Sequence, residues 1–131
     1  MAFLIHTTDD GRALPWEYLP AGAITPKVGM ALTQTNGNLA LASGTTKPTY
    51  ICMREQETAL VAGDLIPVVH VQPDVVFEVE LSAAGTSLKV GQKVTIATDG
   101  LAVTATTTDG IAEIVDILGT AIGDKVRVRF H

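Results

Sequence analysis

The chain has 131 residues, of which 47% are hydrophobic, 5% aromatic and 18% charged, with a formal net charge of −5. That length accommodates one domain with a real core, and the acidic balance argues against a nucleic-acid surface, which needs a basic face. The single cysteine, Cys52, excludes an internal disulfide and a multi-cysteine metal site.

Residues 1–6 lack the basic flank and long apolar run of a signal peptide. No apolar run approaches the ~20 residues of a membrane-spanning helix. Both features point to a protein made and kept in a reducing cytoplasm, with Cys52 as a buried small hydrophobe. The charged fraction lies below the usual ~25%, and mean hydropathy is +0.31. Two readings fit: part of the outside is buried in an oligomer or larger assembly, or the chain is an aliphatic barrel with a threonine-coated surface.

Residues 1–26 differ from the rest. They hold Phe3, Trp16 and Tyr18 together with Pro15, Pro20 and Pro26. The prolines bracket the aromatic stretch and bar a long helix, so this segment reads as an extended N-terminal arm. Trp16, Tyr18 and Leu19 are its candidate protein-interface residues, since Trp and Tyr often act as binding hot spots; the alternative is that Trp16 plugs one end of the barrel. Asp9-Asp10-Gly11 reads as a turn rather than a cation site.

Residues 27–54 contain strands near 30–35, 39–42 and 49–53, with Asn36-Gly37-Asn38 as a hairpin turn. Residues 54–57 form a solvated polar loop. Residues 65–71 are apolar apart from Pro67, which cannot donate to a ladder and so predicts an edge or bulged strand. In residues 75–81, Val75, Phe77, Val79 and Leu81 alternate with Val76, Glu78 and Glu80, the period of a half-buried strand. Its glutamates are placed to pair with Arg127 and Arg129, which alternate with Val126, Val128 and Phe130. Residues 82–87 are a small-residue linker. In residues 111–118, Ile111, Ile114, Val115 and Leu118 have helical spacing, but the β-branched content favours a strand.

The C-terminal half repeats the plan of the first. Lys27-Val28-Gly29 returns 62 positions later as Lys89-Val90-Gly91. At the same offset Leu39-Ala40-Leu41 meets Leu101-Ala102-Val103, and Thr45-Thr46 meets Thr107-Thr108. Gly63-Asp64 meets Gly123-Asp124 at an offset of 60. The expected fold is therefore all-β: a compact barrel or sandwich of two pseudo-repeated modules preceded by the arm. The expected bounds are 1–26 for the arm and 27–131 for the barrel, with copies at about 27–81 and 88–131. Segment 28–46 should lie over 90–108. Both modules would then be complete without residues 2–19, making the arm dispensable for folding.

No catalytic site is legible. His6, His70 and His131 are scattered, and Ser43, Ser82 and Ser87 lie in small-residue loops with no histidine nearby in sequence. No GxSxG, HExxH, P-loop or CxxC pattern occurs. The matched positions of Asp64 and Asp124 point to turn chemistry for both. The expectation is a non-enzyme with no cofactor and no metal. A carrier or small-ligand barrel is the alternative, because lipoyl and biotinyl domains also repeat a Gly-Asp hairpin plan. Those domains expose a modified lysine at a hairpin tip, where this chain has Asn36-Gly37 and Asp99-Gly100.

The ordered series Leu14-Pro15-Trp16-Glu17-Tyr18-Leu19-Pro20-Ala21-Gly22, Thr45-Thr46-Lys47-Pro48-Thr49-Tyr50-Ile51, Val90-Gly91-Gln92-Lys93-Val94-Thr95, residues 104–113 and Gly123-Asp124-Lys125-Val126-Arg127-Val128-Arg129-Phe130 resembles a known family. It is that of the small β-rich head-decoration, or capsid cement, proteins of tailed bacteriophages and prophages. The resemblance implies a structural protein, made in the bacterial cytoplasm, that binds the outside of an assembled shell and stabilises it. Its implied partner is the major capsid protein, and its implied state a homo-oligomer, often a trimer. It implies no catalytic residue, and no nucleic-acid or membrane partner.

Overall fold

The computed structural model describes residues 2–8 and 14–130. All regular structure there is β. The strands are β1 (Leu4–Thr8), β2 (Trp16–Pro20), β3 (Ala31–Thr35), β4 (Asn38–Leu41), β5 (Tyr50–Cys52), β6 (Leu65–His70), β7 (Val75–Leu81), β8 (Lys93–Val94), β9 (Ala102–Val103), β10 (Ala112–Ile117) and β11 (Lys125–Arg129). They form a five-stranded sheet, β2-β6-β5-β3-β4, and a six-stranded sheet, β1-β7-β11-β10-β8, with β9 alongside β7. Pairing is antiparallel except for β7 with β9. The arrangement is sandwich-like and not a closed barrel: the first sheet curls until Ala21 meets Leu39, but that seam is one parallel bridge.

The repeat is real at the level of strand register. Leu19 faces Ile66 in the first sheet, and Val79 faces Val126 in the second, each partner 60 positions on. Ala31 faces Ile51, and Lys93 faces Glu113, each 62 on. The Gly-Asp turns also match. The Asp64 carboxylate accepts the Val61 N–H at 3.1 Å, and that of Asp124 accepts the Ala121 N–H at 3.0 Å. One segment is shifted. Leu39 makes with Ala21 the parallel contact that Val103 makes with Leu81, so the return strand is offset by 64 positions, not 62. The cause is the turn. Asn36 and Gly37 make a tight two-residue turn with φ of 52° and 81°. The second hairpin takes a longer path through Asp99, whose side chain accepts the Leu101 N–H at 3.0 Å.

The module boundaries differ from those read in the sequence. β2 fills in the first module the place that β7 fills in the second, since each runs beside the strand following a Gly-Asp turn. Module one is therefore β2–β6, and module two is β7–β11. The described residues of the 1–26 segment are extended as expected, yet they lie within the sheets: β2 pairs along its length with β6, and β1 pairs with β7. Phe3 is fully buried, its ring 5.5 Å from that of Phe130 and 6.4 Å from that of Phe77.

Two further expectations are resolved by hydrogen-bond direction. β6 is an interior strand, between β2 and β5, and so is not an edge despite Pro67. The Pro67 carbonyl accepts the Met53 N–H at 3.0 Å, just past the end of β5. The proline nitrogen faces that same side, at the very end of the β5 ladder, so only the single return bond to the Met53 carbonyl is lost. Within residues 111–118 the chain forms strand β10, Ala112–Ile117, with a register shift between Ile114 and Asp116. The extra residue of that irregularity is what makes the apolar spacing look helical.

The core falls into two clusters. Leu32, Leu39, Cys52, Ile66 and Val68 fill the inside of module one. Phe3, Phe77, Val79, Ile114, Val126 and Phe130 fill module two, in a cluster that extends to Ala31 and Ile51 of module one. The modules interlock at the backbone. The Ala31 N–H donates to the Gly100 carbonyl at 2.9 Å, Gly44 and Ile96 exchange hydrogen bonds of 2.8 and 3.0 Å, and Leu101 sits in the module-one cluster. Asp9-Asp10-Gly11 and His131 lie outside the described residues.

Candidate interaction surface

Equivalent positions on the outer faces of the two modules carry opposite chemistry. In module two this face holds ion pairs. Arg127 lies 3.4 Å from Glu78 and 3.1 Å from Asp116, Arg129 lies 3.0 Å from Glu113, and Lys125 lies 3.8 Å from Glu78. The expected pairing with β7 is thus made by Arg127, while Arg129 turns to β10. These pairs are partly exposed, so each is worth only a few tenths of a kcal/mol.

In module one the same places are apolar. By register, Tyr18 stands for Glu78, Pro67 for Arg127, Val69 for Arg129, Leu65 for Lys125 and Ile51 for Glu113. Ile51 and Val69 are buried. Trp16, Tyr18 and Leu65 are not: they are 57%, 64% and 57% exposed. Alternation along β2 puts Trp16 and Tyr18 on one face, opposite Val69 and Pro67. Leu19 points the other way and packs against the inner cluster of module one. The structure therefore brings together two of the three residues singled out in the sequence and turns the third inward. Trp16 is no plug. In module two, that end is sealed by Phe3.

Leu65 and Pro67 are members of this surface that sequence reasoning missed. The signal was available, because Leu65 is the match of Lys125 at the 60-residue offset.

The described residues enclose no pocket and hold no group of three metal-ligating side chains. The His70 ring lies against that of Tyr50, with centroids 5.3 Å apart and the planes tilted by 47°. Cys52 is buried; its Sγ lies 3.2 Å from the Arg54 carbonyl, and burial pushes its thiol up from the ordinary value, against the smaller opposing effect of Arg54. A buried, protonated thiol is a poor nucleophile. No protein-family model and no curated protein matches the chain.

Proposed function

We propose that this chain is a structural protein of a tailed-phage head, binding the outside of the assembled shell through the Trp16–Tyr18 face and reinforcing it. The observation that carries this reading is the exposed aromatic face of module one, at positions where its twin module carries ion pairs. The motif resemblance supplies the partner: the major capsid protein, met by a homo-oligomer, with a trimer favoured. The protein is made in the host cytoplasm and resides on the virion.

The mechanism is bridging. Each Trp or Tyr ring carries about 150–250 Å² of surface. Covering the exposed half of one ring gains about 2–3 kcal/mol gross at ~25 cal/mol per Å², before the cost of association. A copy seated across two capsid subunits must lose such contacts before the subunits part. The gain is repeated at every site on the shell.

The test mixes the purified protein with expanded and unexpanded phage shells and measures co-sedimentation. DNA release from decorated and bare shells is then followed on heating or chelation. Binding with delayed release is expected. Absence of binding overturns the capsid reading, and binding with unchanged release overturns reinforcement.

A further inference from the structure

β7 is paired along both edges, with β11 on one side and β1, followed by β9, on the other. β2, its counterpart, has β6 on one side; along its other side the only bridge among the described residues is that of Ala21 to Leu39. Backbone groups of successive residues point to opposite edges of a strand. The Ala21 N–H points toward β6, donating to Asp64 at 2.8 Å, and the Gly22 N–H points the other way, donating to Leu39 at 2.9 Å. By alternation the N–H and C=O of Trp16 and Tyr18 point to the outer edge. Their counterparts Val76 and Glu78 face Thr7 and Leu4 of β1. Among the described residues, no strand meets Trp16 or Tyr18 from that side.

We propose that this edge accepts an extended segment of a partner protein, antiparallel to β2, with a basic side chain flanked by apolar ones. The position follows from the second module, where β1 shows how such a strand sits. The chemistry follows from Glu17. Its counterpart Phe77 is buried and faces Ile5 of β1 in register, whereas Glu17 is exposed and has no ion-pair partner among the described residues. A Lys or Arg at the place of Ile5 would neutralise it. Apolar residues on either side would lie beside Trp16 and Tyr18.

A second copy of this chain fits less well. The register that uses all four outward groups sets Trp16 against Tyr18 of the second copy, and it also sets Glu17 against Glu17 of the second copy. Like charges directly opposite each other are destabilising, and a charge on an edge strand is a common guard against self-pairing. The inference does not require the partner to be a capsid subunit.

Amide hydrogen exchange tests it on the full chain. In dilute solution the Trp16 and Tyr18 amides should exchange at least roughly tenfold faster than that of Glu78, as unpaired edge groups do. The probe is a blocked peptide of alternating valine and threonine with a central lysine; its control carries glutamate there. The lysine peptide should slow exchange at Trp16 and Tyr18, and the control should not. Glu17→Lys should reverse that preference. Tyr18→Pro, which removes an outward N–H that β6 does not use, should abolish the effect, while Tyr18→Ala should only weaken it. The proposal is overturned if these amides are already protected in dilute chain, or if neither peptide slows them. It is likewise overturned if both peptides act alike, or if protection appears with chain concentration alone, which would make the occupant a second copy. Shells play no part in this test, so it fails independently of the capsid reading.

Discussion

Tyr18 faces Pro67 across β2 and β6 at the position where Glu78 faces Arg127 across β7 and β11. One backbone register thus carries an ion pair in one module and an aromatic-proline pair in the other. The backbone needs neither, which separates what folds the chain from what its surface is for.

The pair can therefore be exchanged. The double substitution Tyr18→Glu with Pro67→Arg copies the pairing of module two into module one. It should leave stability within about 1 kcal/mol of the parent, because both sites are on the surface. It should also lower shell binding by more than about tenfold, as expected for loss of an aromatic anchor. Denaturant midpoints and co-sedimentation check the two halves of this prediction.

Phe3 should matter to folding as much as any residue of the later strands. It is fully buried between Phe77 and Phe130. Phe3→Ala should cost about 3–5 kcal/mol, a large share of the roughly 5–15 kcal/mol that such domains possess. A chain beginning at Ala21 would lack both β1 and β2 and should be unfolded by circular dichroism.

Gly29 and Gly91 form a matched pair of probes. Both have positive φ, 84° and 95°, so alanine at either should cost about 1–2 kcal/mol in backbone strain. A Cβ on Gly91 would meet open space, but one on Gly29 would run into the Ala2 Cβ and lie 3.0 Å from the Phe3 nitrogen. Gly29→Ala should thus be the more destabilising by about 1–3 kcal/mol, the usual range for overpacking. Thermal unfolding of the two variants measures the difference.

Cys52 sets a pH dependence. Burial raises its thiol above the ordinary value, so the unfolded chain gives up this proton at lower pH than the folded one. Its contribution to stability is unchanged below the ordinary thiol range, near pH 8.5. Above it, stability should fall as pH rises toward the folded-state value. Cys52→Ala should remove that part of the slope, and a thiol reagent at pH 8 should modify Cys52 only after unfolding.

Glycines and turn aspartates made the repeat legible, because a turn constrains residue identity. Gly63-Asp64 and Gly123-Asp124 recur with the same side-chain hydrogen bond. The limits of the modules were not legible, because a strand's place is set by backbone pairing. β2 and β7 share no residue at matched positions: Trp16 stands for Val76, Glu17 for Phe77 and Tyr18 for Glu78. Pro67 misled for a related reason, since only the direction of its nitrogen decides whether a proline harms a sheet. Of the interaction surface, Trp16 and Tyr18 were visible as aromatics in a chain with few. Leu19 was grouped with them by proximity in sequence, and strand alternation sends it inward.

The hairpin between β8 and β9 places Leu101 in the core of the other module and closes a hydrogen bond onto Ala31. Loss of module two would open a hole at Leu101 and strip the Ala31 N–H of its acceptor, so neither half is expected to melt alone. The duplicated plan should therefore unfold as a single cooperative unit, with one calorimetric transition and no half-folded species. A gene fragment for either module should give an insoluble product, and the two fragments expressed together should rescue each other.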